Sequence, residues 1–153
     1  MRRGPVTLLV VAALGLAAWW LLVRPRPTDE ERIYRLVADA ARAVEMRNPS
    51  GVLRLVSESY HDPYGNSKRT LTQQVIAGLR SIDAITVVPE IASLEIQGDV
   101  ATALVRARVR FGDATEGRGV DLQVRLQLAR EGRVWRVTSS DGWAPAVDSY
   151  LGE

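Results

Sequence analysis

The sequence predicts an α+β fold: three N-terminal helices packed on a curved four-stranded antiparallel meander, preceded by one transmembrane helix. Three observations lead to this fold class. An uncharged run extends from Val6 to Val23, apolar residues recur at helical spacing between Thr28 and Ile82, and polar and apolar residues alternate from Thr86 onward. Helices followed by strands are typical of a two-layer α+β domain. The predicted organisation is a tail at 1–5, a transmembrane helix at 6–23, a linker at 24–27 and a domain at 28–153.

The uncharged run Val6–Val23 predicts a membrane anchor. At about 1.5 Å per residue it makes a helix of about 27 Å, close to the roughly 30 Å of a hydrocarbon core. The pair Trp19-Trp20 is typical of an interfacial aromatic belt, with Arg24 and Arg26 beyond it. A cleaved signal peptide is the alternative, because Gly15-Leu16-Ala17 offers small residues for cleavage. Such a cut leaves an apolar stretch at the start of the mature chain, so we favour the uncleaved anchor.

The charges around the anchor leave its orientation open. Arg2 and Arg3 lie before the run, and Arg24 and Arg26 follow it. A C-terminal domain of this length can cross the membrane largely regardless of flanking charge. We favour a domain on the extracytoplasmic (periplasmic) side of the cell membrane. Pro25-Arg26-Pro27 predicts a short, stiff linker that keeps the domain close to the bilayer.

Capping signals locate the three predicted helices. Thr28 and Glu31 form a capping box in front of the first helix, which is expected to end near Arg47. Asn48-Pro49 combines an N-cap residue with a proline at the first helical position. The second helix follows it, with an apolar stripe that continues to Tyr60. A third helix is expected to start near Ser67, after a run of turn residues. The apolar stripes comprise Ile33, Leu36, Val37, Ala40, Ala41, Val44, Val52, Leu53, Val56, Tyr60, Leu71, Val75, Leu79 and Ile82.

Four strands follow, joined by short turns. Gly98-Asp99 and Glu131-Gly132 are predicted as two-residue hairpin loops, and residues 112–119 as a longer one. A slip of one residue would move every side chain to the other face of the sheet, so the apolar alternation restricts the register. The predicted cross-strand pairs are Gln97 with Val100, Ile96 with Ala101, Leu94 with Ala103, Ala92 with Val105, Phe111 with Val120, Val109 with Leu122, Val105 with Leu126, Leu128 with Trp135 and Leu126 with Val137.

The two faces of the predicted sheet differ in chemistry. The inner face is apolar and lacks an acid, a base or a nucleophile; only Glu90, at a strand end, shares its parity. The outer face carries five arginines, which we expect to be solvated or to form a homodimer or partner surface. Asp121 is expected opposite Arg110, which favours ordinary cross-strand pairing. The five arginines are Arg106, Arg108, Arg110, Arg125 and Arg136.

Composition excludes several kinds of site. The chain has 153 residues, with 20 Lys and Arg against 18 Asp and Glu. Four of these bases and none of the acids precede Thr28, which leaves 16 bases against 18 acids in the domain. A slightly acidic domain lacks the basic character of a nucleic-acid binder, so no nucleic-acid partner is expected. With no Cys and one His, thiolate nucleophiles and multi-histidine metal sites are excluded. We expect neither a metal nor a cofactor.

The order helix, helix, short turn segment, helix and long strands, with a Trp135-Arg136-Val137 run near the end, resembles the nuclear transport factor 2-like superfamily. This cystatin-like cone is shared by ketosteroid isomerase, scytalone dehydratase and many non-catalytic domains, and the resemblance covers about Thr28 to Tyr150. It implies a curved sheet wrapped over the helices and a pocket at the wide end of the cone. Enzymes of the superfamily place Asp, His or Tyr side chains on the inner face, and this sequence departs from that pattern.

Tyr60, His61 and Asp62 are the weak candidates for catalysis. A general base must reach a substrate proton within about 3 Å, and adjacent side chains diverge, so Asp62 is poorly placed to orient His61. The alternative is structural: Tyr60 closes the core and Asp62 caps the turn before Pro63. Ligand contact at the mouth of the cone is a third interpretation. The residues expected to line that pocket are Tyr60, Tyr64, Trp135 and Trp143, although Asp141-Gly142-Trp143 is also typical of a turn with a tryptophan lid.

These observations favour a membrane-anchored, non-enzymatic accessory domain that binds a partner protein or a small apolar ligand. A lyase or isomerase of the ketosteroid isomerase type, using Tyr60, His61 and Asp62, is the alternative from another class. A third hypothesis is an assembly subunit similar to those of type IV secretion, which place such a domain after one membrane span.

Overall fold

The computed structural model of the chain describes residues 4–23, 26–112 and 118–143, with the backbone alone at 4–10, 21–23 and 118. Residues 1–3 of the predicted tail, 24–25 of the predicted linker, 113–117 of the predicted loop and 144–153 of the predicted domain lie outside this range. The elements are α1 (Gly4–Val23), α2 (Asp29–Glu45), α3 (Pro49–Leu53), α4 (Lys68–Ser81), β1 (Ile85–Gln97), β2 (Val100–Phe111), β3 (Arg118–Glu131) and β4 (Val134–Asp141).

The four strands form one antiparallel sheet in the order β1-β2-β3-β4. Helix α2 packs against β1 and β4, and Leu71 of α4 packs against the same core. The predicted α+β class and the meander are therefore confirmed. The uncharged run is helical, as α1. Among the described residues, no helix combines the length and the apolar character that a membrane crossing needs. The membrane span over Val6–Val23 stays a prediction of the sequence.

Helix α2 supplies the helical layer of the core. It begins at the predicted capping box: the Glu31 N–H donates to Thr28 Oγ1 (3.2 Å), and the Thr28 N–H donates to Glu31 Oε2 (3.1 Å). Ile33 on its inner side is fully buried. Apolar burial against the sheet then holds the helix in place. The core cluster comprises Ile33, Leu36, Val37, Val56, Tyr60, Ala101, Ala103, Val105, Leu128, Trp135 and Val137.

The second predicted helix is shorter than its apolar spacing indicates. Its N-cap is as expected, because Asn48 Oδ1 accepts the Gly51 N–H (3.0 Å), but the helix ends at Leu53. The chain then pairs with β4: the Ser57 N–H donates to the Val137 carbonyl and the Val137 N–H to the Leu55 carbonyl, both at 2.9 Å. Pairing with β4 gives the backbone of this segment its hydrogen bonds in place of a helix.

A β-bulge corrects the predicted pairing of β1. Ala92 was expected opposite Val105, but Ile91 takes that position and Ala92 is the extra residue of the bulge. Because one extra residue inverts the alternation, all of β1 before the bulge faces the opposite way from the prediction. Glu90 therefore lies on the outer face, opposite Arg106.

The pairing of β2 with β3 is shifted by two residues from the prediction. Val120 pairs with Val109 and not with Phe111, and Phe111 pairs with Arg118. The connection is accordingly residues 112–117 and not 112–119. A shift of two residues keeps every side chain on its predicted face, so the apolar face is unchanged.

The hairpin of β3 and β4 is shifted in the same way. Leu128 pairs with Val137, and Trp135 pairs with Arg130, where Leu128 was expected. The two-residue loop is Gly132-Arg133, and Gly132 has the positive φ of 66° that favours glycine at the first central position. Arg130 therefore lies on the inner face of the sheet, at the C-terminal end of β3.

Both edges of the sheet are partly blocked to a further strand. On β1 the Val87 N–H donates to Glu45 Oε1 of α2 (2.9 Å), and Pro89, two residues on, has no N–H to offer. On β4 the segment 55–57 occupies the edge through the Val137 bonds described above. A partner therefore finds no unpaired edge in these regions to extend.

We expect Leu128→Asp to unfold the domain. Leu128 is 2% exposed at the centre of the apolar face, so the substitution buries a carboxylate at a cost of several kcal/mol. Gln127→Asp is the matched control, because the preceding side chain is exposed on the outer face. Thermal unfolding followed by circular dichroism compares the two variants, and equal melting temperatures would contradict the assigned faces.

Candidate functional site

The predicted site segment runs alongside the end of β4. The His61 N–H donates to the Thr138 carbonyl (3.0 Å), and His61 forms an isolated bridge with Ser67. Side chains of an extended segment alternate in direction. Tyr60 and Asp62 accordingly point inward, with exposures of 2% and 4%, while His61 is exposed. The structure therefore brings Tyr60 and Asp62 together and leaves the imidazole outside.

The Asp62 carboxylate accepts four hydrogen bonds. Its Oδ1 accepts the N–H groups of Tyr64 (3.0 Å) and Asn66 (2.8 Å). Its Oδ2 accepts the Asn66 side-chain amide (3.0 Å) and the Tyr60 hydroxyl (3.1 Å). Burial alone would raise the Asp62 pKa, but the hydrogen bonds, led by those from Asn66, outweigh it and hold the pKa below its ordinary value. Asp62 is an ionised, fully occupied cap of its own turn.

Ser140 completes this network from β4. A bulge at Thr138 turns Ser140 to the inner face, opposite Leu126. The Ser140 hydroxyl lies 2.6 Å from the Tyr60 hydroxyl. Since Tyr60 donates its proton to the Asp62 carboxylate, Ser140 donates to Tyr60 in turn. Burial, with a smaller contribution from the Asp62 charge, raises the Tyr60 pKa to about 12.

This arrangement is poorly suited to acid–base catalysis. A general base near neutral pH needs a pKa close to the working pH and a lone pair that faces the substrate. Asp62 has a lowered pKa and four donors around it, and Tyr60 holds its proton up to high pH. In the described part of the chain no three His, Cys, Asp or Glu side chains come together to hold a metal ion. The network stabilises the turn that joins α3 to α4.

The four residues predicted to line a pocket fall into two groups. Tyr64 and Trp143 lie near the turn: their rings meet edge to face at 5.6 Å, and the Tyr64 hydroxyl donates to Asp141 Oδ1 (2.9 Å) and accepts the Gly142 N–H (3.0 Å). Tyr60 is connected to this group through the Asp62 carboxylate, which accepts both the Tyr60 hydroxyl and the Tyr64 N–H. The Trp143 indole N–H is buried, with no partner among the described residues.

Trp135 lies at the other end of β4, in a separate cluster. It is 2% exposed, and its indole N–H donates to Asp29 Oδ1 at the start of α2 (3.0 Å). The Arg130 guanidinium lies 5.9 Å from the centre of its ring and also reaches Asp29 Oδ2 (3.4 Å) and Asp99. Hydrogen bonding and attraction to Asp99 raise the Arg130 pKa further. Through these contacts the cluster fixes the first turn of α2 to the sheet.

Surface features complete the inventory of sites. A shallow depression lies over the exposed side of α2, lined by Thr28, Glu30, Glu31, Tyr34 and Arg35, and not between the helices and the sheet. On the outer face Arg108 Nε contacts Asp121 Oδ1 (3.2 Å), where the sequence predicted Arg110 opposite Asp121. Arg136 Nε contacts Glu131 Oε2 (3.1 Å).

Sequence reasoning missed several members of these clusters. Asn66 could have been found, since an Asp four residues before an Asn in a Pro-Tyr-Gly turn is a local capping signal. Ser140 could not, because its inward direction depends on a bulge. Arg130 was visible as a charge that continues the apolar parity of β3. Asp29 and Asp99 join it only through tertiary pairing.

Comparison with known proteins identifies the fold. No family model and no curated protein matches the sequence. A solved structure from Nostoc punctiforme, of unknown function and with a cystatin-like fold, is 16% identical over 73% of this chain and 87% of its own, with a TM-score of 0.62. A proposed dehydratase of the nuclear transport factor 2-like family from Streptomyces avermitilis is 12% identical over 73% of this chain and 92% of its own, with a TM-score of 0.63. The chain has the nuclear transport factor 2-like fold.

Neighbours of this nuclear transport factor 2-like domain carry different descriptions. A solved structure from Thiobacillus denitrificans, described as a proposed association domain of a calcium/calmodulin-dependent protein kinase type II, is 16% identical over 74% of this chain and 92% of its own, with a TM-score of 0.62. At such identities the likeness shows the fold alone. Function has to be argued from the site.

We expect Asp62→Asn to destabilise the domain by about 1–3 kcal/mol at neutral pH, because buried donors lose their charged acceptor. The lowered Asp62 pKa fixes the sign of the pH dependence. The ionised Asp62 carboxylate stabilises the fold fully at pH values above its pKa in the unfolded chain, about 3.9. This stabilisation is lost as the pH falls through the lower pKa of Asp62 in the folded domain. Urea unfolding should therefore show a gap between wild type and variant that narrows below about pH 4. Asp83→Asn, at an exposed position, is the control and should show no such gap. A gap that does not change with pH would contradict the assignment.

Proposed function

We propose that the domain is a non-enzymatic binding module that docks a partner protein on the outer face of its sheet. One observation carries this proposal: Tyr60 and Asp62, two polar groups that point inward, are buried and hydrogen-bonded to each other and to their own turn. Within the described residues, the inner face therefore offers substrates neither a free acid nor a free base. Partner binding is then left to the outside of the molecule.

A small apolar ligand is the less favoured form of this function. A ligand pocket needs apolar side chains that line an opening. Tyr60 and Trp135, each 2% exposed, are packed into the core cluster and line no such opening. The dehydratase description of the Streptomyces avermitilis neighbour motivates the enzymatic alternative, a lyase or isomerase, which would have to break the Tyr60–Asp62 bond to free a catalytic group.

Membrane anchoring is part of the proposal, and the sequence is what supports it. The uncharged residues of Val6–Val23 suit an anchor, and a short proline-containing linker follows them. The module would then act at the extracytoplasmic side of the cell membrane, tethered close to the bilayer. An assembly subunit similar to those of type IV secretion is one form that such a module can take.

Photo-crosslinking in cells tests the proposed function. A photoreactive residue placed at Gln123 lies exposed at the centre of the outer face, and one placed at Gln73 lies exposed on α4. We expect a discrete crosslinked protein from position 123 and none from position 73. Tyr60→Phe should leave the crosslink in place, since the network is structural. Equal yields at both positions, or loss of the crosslink with Tyr60→Phe in a folded protein, would count against the module.

The anchor has a test of its own. We expect the full-length chain to resist carbonate extraction and to start, by mass spectrometry, at its own N-terminus, because Val6–Val23 stays in the bilayer. Protease added to spheroplasts should digest the domain. A soluble chain that starts near Ala18 would show a cleaved signal peptide instead. Protection of the domain until lysis would reverse the orientation.

A further inference from the structure

The outer face carries three arginines that lack an acidic partner within the described residues. Arg108 and Arg136 are paired with Asp121 and Glu131, as given above. Arg106, Arg110 and Arg125 are exposed, and no ion pair joins them to another residue in the described ranges. We call these three residues the arginine patch. Glu90 and Asp141 lie opposite Arg106 and Arg125 in the register, but among the described residues neither acid forms a salt bridge with the patch.

The strand register places the patch on the two central strands. Leu104 lies opposite Arg125, and Gln123 lies opposite Arg106, so Arg106 and Arg125 are diagonal neighbours on one face. Arg110 extends the same row along β2 toward its end. The patch thus lies on the two central strands of the sheet.

Aliphatic side chains lie beside these charges. Val88 is 61% exposed, opposite Arg108 on the outer face, and Leu104 is partly exposed beside Arg125. Arginine combined with apolar surface is typical of protein interfaces. Glu90 and Glu95 on β1 lie on the same face, so an extended anionic surface such as a nucleic-acid backbone or a lipid layer would be repelled by them, whereas a compact acidic group on a protein can contact the arginines alone.

A second copy of the chain fits this face poorly. An isologous dimer brings the same patch of two subunits together around a twofold axis. Arg106, Arg110 and Arg125 lie on the two central strands, so a dimer built around them would place like charges against each other. Docking along an edge is hindered where Glu45 and Pro89 block β1 and where residues 55–57 block β4.

We infer that the arginine patch binds an acidic surface on the partner protein, with Val88 and Leu104 making apolar contacts beside it. This inference rests on the proposed function and names the chemistry of the partner. Carboxylates of the partner would accept charge-assisted hydrogen bonds from the three guanidinium groups. Their exposed position makes the association sensitive to salt.

A labelled acidic peptide provides the test. Fluorescence anisotropy measures the binding of fluorescein-labelled polyglutamate to the full-length protein in a non-ionic detergent. The patch variant carries Arg106→Gln, Arg110→Gln and Arg125→Gln. The control variant carries Arg35→Gln, Arg69→Gln and Arg80→Gln, three exposed arginines on α2 and α4, so both lose the same net charge. Circular dichroism confirms that both variants fold.

We expect the patch variant to weaken binding about tenfold and the control variant to weaken it about twofold or less. Equal weakening would show that binding follows net charge and would overturn the inference. So would patch-dependent binding to phosphatidylglycerol vesicles without peptide binding, which points to a membrane, or a patch-dependent dimer in sedimentation. A crosslink at position 123 without peptide binding would overturn the acidic partner and leave the proposed function intact.

Discussion

The pairing of residues 55–61 with the outer edge of β4 is the contact on which the rest of the domain depends. Three backbone bonds make it: those between Ser57, Leu55 and Val137, and the one from His61 to Thr138. They end α3 early, cover a sheet edge and carry Tyr60 to within reach of Ser140. Lys68 reinforces the segment, since its Nζ donates to the Val56 carbonyl (2.9 Å) and contacts Glu58 (2.5 Å).

Local signals in the sequence predict most of the architecture. The capping residues Thr28, Asn48 and Ser67 each begin a helix, and Gly98 and Gly132 lie at the two tight turns. Apolar alternation assigns the faces of β2 and β3. Apolar alternation cannot fix the register to better than two residues, because a shift of two leaves every side chain on the same face. The length of the connecting loop determines the register, and the loop after Phe111 is shorter than expected.

The bulges are where prediction from the sequence fails, and they also determine the polar sites. Ala92 shifts Glu90 to the outer face, and Thr138 shifts Ser140 to the inner one. Each bulge adds one residue to one strand, and the alternation of apolar residues does not by itself show where that residue is added. The prediction of a helix through Val56 and Tyr60 is wrong for a related reason. Both residues are buried as predicted, but the backbone of this segment forms its hydrogen bonds with the edge of β4 and not within a helix.

The contacts of Asp29 at the start of α2 have a mechanical consequence. Asp29 follows Thr28, the last residue before the helix, and its carboxylate holds Trp135 and Arg130 of the sheet. Tension that enters the domain through the preceding chain is passed to the β3–β4 hairpin within one residue. We expect such a load to be shared between α2 and the sheet through these contacts. For a domain tethered through the residues before Thr28, this attachment would resist a pull from that side.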